Sequence, residues 1–386
     1  MTAARNAVGL SFFLNGLCFA SWVSRIPELR SGFDLTNARL GLVLLAIALG
    51  SLVALPTTGA SIARFGTVRV VRAGALAATT GLAIAALALG EALPVTVAGL
   101  FLYGLGIGVW DVAMNVEGAE VERHLTRTIM PRFHAGFSLG TVVGALLGAG
   151  LVALDIPGRW HLIAIALVAL AAAWTTSVAF LPIATRADTD RPRSAARAWL
   201  EPRTLLIGVM VLALAMTEGT ANDWLAVALV DGYDVSPSVG VAGFALFVAA
   251  MTLTRFVGTS LLDRFGRTTV LWGTIATAGV GVVLIVVGSH PAVVVVGILL
   301  WGAGASLGFP VGMSAAADDP AHAAARVSVV STIGYAAFLA GPPLLGFVGD
   351  EIGTLNALLV VALILVPAAF AVPAARVSRP ASAARA

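Results

Sequence analysis

The chain has no lysine; all 23 of its basic residues are arginine. Charge of either sign is scarce. Asp, Glu and Arg together make up 11% of the 386 residues, where a soluble protein carries about 25%. That shortage excludes a soluble globular domain. The basic pI of about 9.7 then gives no argument for nucleic acid, because arginines flanking membrane spans set topology instead. A single cysteine, Cys18, excludes an internal disulfide and a cysteine-rich metal site. It sits in an apolar run, where packing is its expected role. The five histidines show no metal-ligand spacing. There is no nucleotide-binding loop and no nucleophile–base pair, so neither an enzyme nor a cofactor or metal is expected.

What is present is apolar: 59% hydrophobic residues and a mean hydropathy of +0.97. At about 20–25 residues per span plus short loops, the chain has room for twelve transmembrane helices. They are expected near 7–24, 37–62, 70–89, 93–117, 131–154, 159–182, 205–230, 239–262, 268–288, 292–315, 327–348 and 352–372. The first lacks a basic leader and a small-residue cleavage site, so it reads as an uncleaved span. One composition break interrupts the pattern. Residues 184–203 hold five arginines, two aspartates and two prolines and read as a polar linker. The organisation expected is therefore a six-helix bundle at 1–183, the linker at 184–203, a second six-helix bundle at 204–374 and a disordered tail at 375–386.

Arginine placement orients the chain. With an even number of spans both termini share a side, and that side collects 18 arginines against Arg25, Arg30, Arg39 and Arg159 opposite. The positive-inside rule then puts both termini in the cytoplasm. Abundant arginine with Ala, Gly and Val reads as the coding bias of a GC-rich bacterial genome, not as a function.

The halves are copies. Leu102-Tyr-Gly-Leu-Gly106 recurs as Leu300-Trp-Gly-Ala-Gly304, Arg64-Phe-Gly66 as Arg264-Phe-Gly266, and Gly144-Ala-Leu-Leu-Gly148 as Pro342-Pro-Leu-Leu-Gly346. The offset is 198, 200 and 198. A near-constant offset at three places predicts parallel repeats of six spans each. The first of these stretches also carries polar groups at membrane depth. Gly104, Gly106 and Gly108 remove side chains where a second helix can approach. Asp111 and Asn115 follow four residues apart, on one helix face. A carboxylate inside a span costs about 2.5–3.5 kcal/mol on the insertion scale, so it is expected to face a bundle interior or a water-filled cavity.

Six plus six spans, a polar central linker and Gly258-Thr-Ser-Leu-Leu-Asp-Arg-Phe-Gly-Arg267 resemble the major facilitator superfamily. Its loop motif, a glycine followed by Asp-Arg-x-Gly-Arg, is complete here only in the second half, since Ala63 stands where the aspartate would be in the first. Ala20-Ser-Trp-Val-Ser-Arg-Ile-Pro27, Trp110-Asp-Val-Ala-Met-Asn115, Pro131-Arg-Phe-His-Ala-Gly-Phe-Ser-Leu-Gly140 and Asn222-Asp-Trp224 look like a YbjJ-type bacterial branch, similar to the fucose permease group. The resemblance implies an all-α membrane protein with the major facilitator fold. It implies transport by alternating access, with two bundles rocking about a mid-membrane site, most simply as a monomer in a lipid bilayer.

Candidate site residues follow. Asp111 is the first candidate for carrying a proton, and fucose-permease-like transporters have an acid on the same helix. They have another on the first helix, where this chain offers Asn15. His134, at the start of the fifth span, is expected near the depth of Asn115 and could relay a proton. Glu218, Asn222, Asp223 and Trp224 cluster in the seventh span, where acid, amide and indole suit a hydroxylated ligand; Glu218 also joins the proton-coupling set. Trp22 and Arg25 end the first span, and Arg25 could bind an anion, pair with Asp223 as a gate, or anchor at the interface. Arg255 is expected to snorkel. Asp263, Arg264, Gly266 and Arg267 form the gating loop, with Asp263 expected near the start of the fifth span. The expected function is proton-coupled uptake of a small, sugar-like polar solute. Export of drugs or metabolites is the alternative, suggested by Gly140-x-x-x-Gly144 and Gly148, which equally suit plain helix packing.

Overall fold

The computed structural model describes residues 1–125, 129–181, 198–319 and 322–376. Among them there is no β-strand, and twelve helical segments are long and apolar enough to cross a membrane. The linker and tail lie largely outside the described residues.

In the first half the helices are α1 (Thr2–Val23), α2 (Ile26–Gly32), α3 (Asn37–Phe65), α4 (Thr67–Ala88), α5 (Leu93–Leu125), α6 (Met130–Ala153) and α7 (Gly158–Thr176). In the second they are α8 (Pro202–Tyr233), α9 (Pro237–Phe265), α10 (Arg267–Val287), α11 (Pro291–Ala305), α12 (Gly308–Ala316), α13 (Ala323–Ile352), α14 (Thr354–Ala357) and α15 (Leu359–Ala371). The tenth span, expected as one helix, is broken at Ser306–Leu307 between α11 and α12. Pro310 explains the break. It has no N–H for the carbonyl of Ser306, and its ring crowds that carbonyl. The eleventh span, by contrast, runs as one helix through Pro342 and Pro343.

The duplication extends to the backbone. Gly66 and Gly266 hold φ of 79° and 77°, and Asp34 and Asp234 hold 48° and 51°. Both pairs are 200 residues apart. The glycine stretches also pack in the same way. A Cβ on Gly106 would lie 2.1 Å from the backbone of Ala78, and one on Gly304 would lie 2.3 Å from Ala278. Gly81 against Tyr103 and Gly281 against Trp301 repeat the device at 2.3 and 2.4 Å. Each copy therefore brings its third and fourth spans into backbone contact, which any side chain at these positions would prevent. Gly104 does the same toward α3, where its Cβ would meet Ile47 O at 2.1 Å.

By compactness the chain divides into two units. One comprises Met1–Ala187, Asn222–Val248 and Pro342–Leu355; the other comprises Asp188–Ala221, Ala249–Gly341 and Asn356–Ala386.

Candidate functional site

In the first unit the polar residues of α5 stand where their spacing puts them. Asn115 Nδ2 donates to the Asp111 carbonyl at 2.9 Å and to its carboxylate Oδ1 at 3.2 Å. Among the described residues Asn115 is the one hydrogen-bonding partner of the Asp111 carboxylate, and no cation faces it. One residue earlier, Trp110 Nε1 donates to Ser11 Oγ of α1 at 2.7 Å. His134 of α6 sets its ring edge-on to Phe12, with centroids 5.1 Å apart. Gly118 of α5 lies against Met130 and Phe133 of α6, so His134 and Asn115 stand at neighbouring levels of two packed helices.

The polar face of α1 is buried rather than interfacial. Asn15 and Trp22 are both buried, and Asn15 Nδ2 has no hydrogen-bond partner among the described residues. Arg25 is buried as well, which corrects the anchor reading. It turns into its own bundle and does not pair with Asp223. Its Nε donates to His161 Nδ1 at 3.1 Å, and its Nη1 donates to Glu28 Oε2 at 2.8 Å and to Ile156 O at 3.0 Å. Glu28 Oε1 accepts the N-terminal N–H of α7 at Gly158, 2.9 Å away. Because His161 Nδ1 accepts, its proton sits on Nε2. The glycines of α6 explain how α1 comes so close. A Cβ on Gly140 would meet Phe13 O at 2.0 Å, and one on Gly144 would meet Leu17 O at 2.7 Å. That stripe is accounted for by helix packing.

On α8, Asn222 and Trp224 are buried, Asp223 is half-buried, and Trp224 Nε1 has no partner among the described residues. Asp223 likewise has no hydrogen bond or ion pair among them. These three belong to the first unit, whereas Glu218 belongs to the second. There Glu218 Oε2 accepts from Arg255 Nη2 at 2.9 Å. Arg255 therefore does not snorkel, and Glu218 carries a counter-ion.

In the gating loop, Gly266 takes the left-handed backbone that ends α9 and lets α10 begin at Arg267. The guanidinium of Arg264 lies 5.2 Å from the ring centroid of Phe265, and Asp263 is exposed. Arg267 Nη1 donates to both carboxylate oxygens of Asp318 at 2.9 Å, and Arg203 Nη2 donates to Asp318 at 2.8 Å.

Sequence reasoning missed a second cluster in the first unit, on the side opposite the termini. The Asp350 carboxylate accepts from the backbone N–H of Asn37 at 2.7 Å and of Ala38 at 3.0 Å, and so caps the start of α3. Thr354 Oγ1 lies within hydrogen-bond distance of Asn37 Oδ1 at 3.2 Å and of Asp231 Oδ2 at 2.7 Å, and Arg30 pairs with Asp231. A Cβ on Gly346 would lie 2.4 Å from Asn37 O. The only sequence signal was glycine and acid together at a span end, Gly349-Asp350.

Repeated glycine-mediated contacts and twelve candidate spans with ionisable groups among them define the class as a polytopic α-helical membrane protein. A model of the Major Facilitator Superfamily matches residues 207–386. The chain is 34% identical over 346 residues to the uncharacterized transporter y4wD of Sinorhizobium fredii, covering 89% of this chain and 90% of that one. The nucleoside transporter NupG shares the fold with a TM-score of 0.81 at 14% identity, covering 96% of this chain and 99% of its own. The fucose:proton symporter FucP of E. coli matches with a TM-score of 0.65 at 16% identity, covering 97% and 98%. The chain belongs to the major facilitator superfamily and is a multi-pass membrane transporter of a small molecule.

Proposed function

We propose that the protein is a proton-coupled importer of a small, hydroxylated polar solute in a bacterial inner membrane. It works as a monomer with both termini in the cytoplasm. The observation that carries this reading is Asp111: a carboxylate within α5 whose partner is an amide and which faces no cation. Holding an uncompensated charge at that depth is costly, so a proton is the simplest counter-charge, and gaining or losing it changes the energy of the site. Asn222, Asp223 and Trp224 supply amide, acid and indole for hydrogen bonds and ring stacking. The similarity to a fucose:proton symporter supports the same solute type.

The cluster of Arg30, Asn37, Asp231, Asp350 and Thr354 acts as the periplasmic gate, holding the outer ends of the spans together until the transporter opens outward. The loop Asp263–Arg267 serves the cytoplasmic side. Proteoliposomes loaded with a pH dye and given a panel of sugars, polyols and organic acids, sugar acids among them, test the reading. Solute addition is expected to drive protons inward. Asp111→Asn is expected to abolish uphill uptake while leaving counterflow exchange. Retention of uphill uptake in that variant would remove Asp111 from the mechanism.

A further inference from the structure

The second unit contains an ion pair inside its spans. Arg255 sits on the face of α9 that carries buried Met251 and Gly258, while Leu253, Phe256 and Val257 beside it are exposed. The guanidinium therefore comes from the protein side of α9, not the lipid side. Its Nη2 donates to Glu218 Oε2 at 2.9 Å. Its Nε donates to Ser306 O at 3.0 Å, the carbonyl that Pro310 leaves without a helical partner. The break in the tenth span thus aims the guanidinium.

The pair is not sealed. Arg255 is 28% exposed and Glu218 21%, although Leu214, Ala215, Thr217 and Ala221 around Glu218 are buried. Glu218 thus stands among buried residues of α8 rather than on a lipid-facing stripe. Arg255 Nη1 and Glu218 Oε1 have no partner among the described residues. Arg255 is the charged group facing Glu218 there. α13 presents Phe338, 3.3 Å from where a Cβ on Gly219 would stand, and the tenth span presents only the Ser306 carbonyl.

We propose that Arg255 reads an acidic group on the transported solute and that Glu218 takes up the proton that accompanies it. Charge conservation at low dielectric carries the argument. Empty, the site holds one positive and one negative charge. Loaded, a solute carboxylate replaces Glu218 on the guanidinium, and Glu218 gains a proton as its carboxylate becomes a neutral acid by forming one O–H bond. The net charge is zero in both states, so neither leaves a lone ion in the membrane, which would cost several kcal/mol. A planar guanidinium also matches a carboxylate in bidentate fashion. A neutral solute offers no charge to exchange. The solute class is therefore a small monocarboxylate with hydroxyls, such as a sugar acid. This rests on the importer reading above and narrows it: Asp111 carries the driving proton and Glu218 the one that neutralises the solute.

The test is binding of D-gluconate, D-glucuronate and neutral D-glucose to the purified full-length protein between pH 6 and 8. At least one acid probe is expected to bind, with affinity falling up to about tenfold per pH unit as one proton is taken up per anion. Glucose is expected to bind far more weakly. In an Asp111→Asn background, where the driving proton cannot contribute, Glu218→Gln, which imitates the protonated acid, is expected to bind the acid at that background's low-pH affinity without its pH slope. Arg255→Gln is expected to lose about a hundredfold in affinity. Should that variant fail to fold for lack of a partner to Glu218, the double variant Arg255→Gln/Glu218→Gln removes both charges and is expected to show the same loss. Glucose binding as tightly as the acids, a pH slope surviving Glu218→Gln in that background, or no acid binding at all would overturn the proposal. Acid binding with this pattern but no uptake into vesicles would count against the importer reading while leaving the charge assignment standing.

Discussion

The two copies tie down the same helix start with different chemistry. In the first, Glu117 near the end of α5 accepts from Thr67 Oγ1 at 2.7 Å and from the Leu181 N–H at 2.5 Å. It is 0% exposed and pairs with no cation among the described residues. In the second, Asp318, just beyond α12, is clamped by Arg267 and Arg203. The same two arginines also donate to the carbonyls of Ala374, Ala375 and Arg376. Thr67 and Arg267 are equivalent: each opens the helix after its left-handed glycine, 200 residues apart. The duplication thus preserves the helix start but not the acid that meets it: at the offset of 198 the counterpart of Asp318 is Glu120, which pairs with Arg123 and His124. A fully buried acid is satisfied by neutral donors; one at 12% exposure is held by cations.

The largest expected effect comes from breaking the buried version. Glu117→Leu strips the acceptor from the Thr67 hydroxyl and the Leu181 N–H, and each unsatisfied buried donor costs about 1–3 kcal/mol. A loss of about 3 kcal/mol is expected. Thermal unfolding in detergent can be followed with a thiol-reactive dye, because Cys18 is the one cysteine and is buried. A change below about 1 kcal/mol would mean that water replaces the carboxylate. Asp318→Ala comes next. It leaves two guanidiniums without a counter-ion, but both are partly solvated and keep their carbonyl partners, so about 2 kcal/mol is expected after discounting for exposure.

Salt sharpens the contrast. Raising ionic strength from about 0.1 to about 1 M shortens screening from about 10 to about 3 Å. The cost of Asp318→Ala should shrink across that range, and the cost of Glu117→Leu should not. Equal salt responses would show that solvent reaches both acids alike, and the distinction between a buried and a clamped carboxylate would fall.

The fold was legible because its determinants are local or repeated. Apolar runs set the spans, and glycines at one offset set the close helix contacts. The break at Ser306 was missed: Pro310 marks it, but the apolar run masked it. The site was less legible because its partners are remote. Arg25 finds His161 136 residues away. Arg255 finds Glu218 37 positions before it, and alone in an apolar helix it resembles a snorkelling side chain. Asp350 caps a helix that starts 313 positions earlier. Spacing reports which residues share a face of one helix; it does not report which helix that face meets.

The smallest effect tests whether arginine clamping in the second half extends beyond Asp318. Glu201, just before α8, accepts from Arg326 Nε at 2.6 Å and from Thr204 Oγ1 at 2.9 Å. The hydrogen bond from Arg326 holds its carboxyl below the usual value of 4.5. A carboxylate whose value is depressed on folding contributes stability that is present above its unfolded value. That contribution is lost as pH falls through the folded one. Acidifying from about pH 5 to about pH 3 should therefore cost the native protein stability that Glu201→Gln no longer has to lose. The difference should be small, because Glu201 is partly exposed and Arg326 also reaches Asp319 at 3.3 Å. Identical acid profiles for the two proteins would mean that Asp319 alone suffices for Arg326. The cation-clamped arrangement would then be confined to Asp318 instead of being the rule at that end of the second copy.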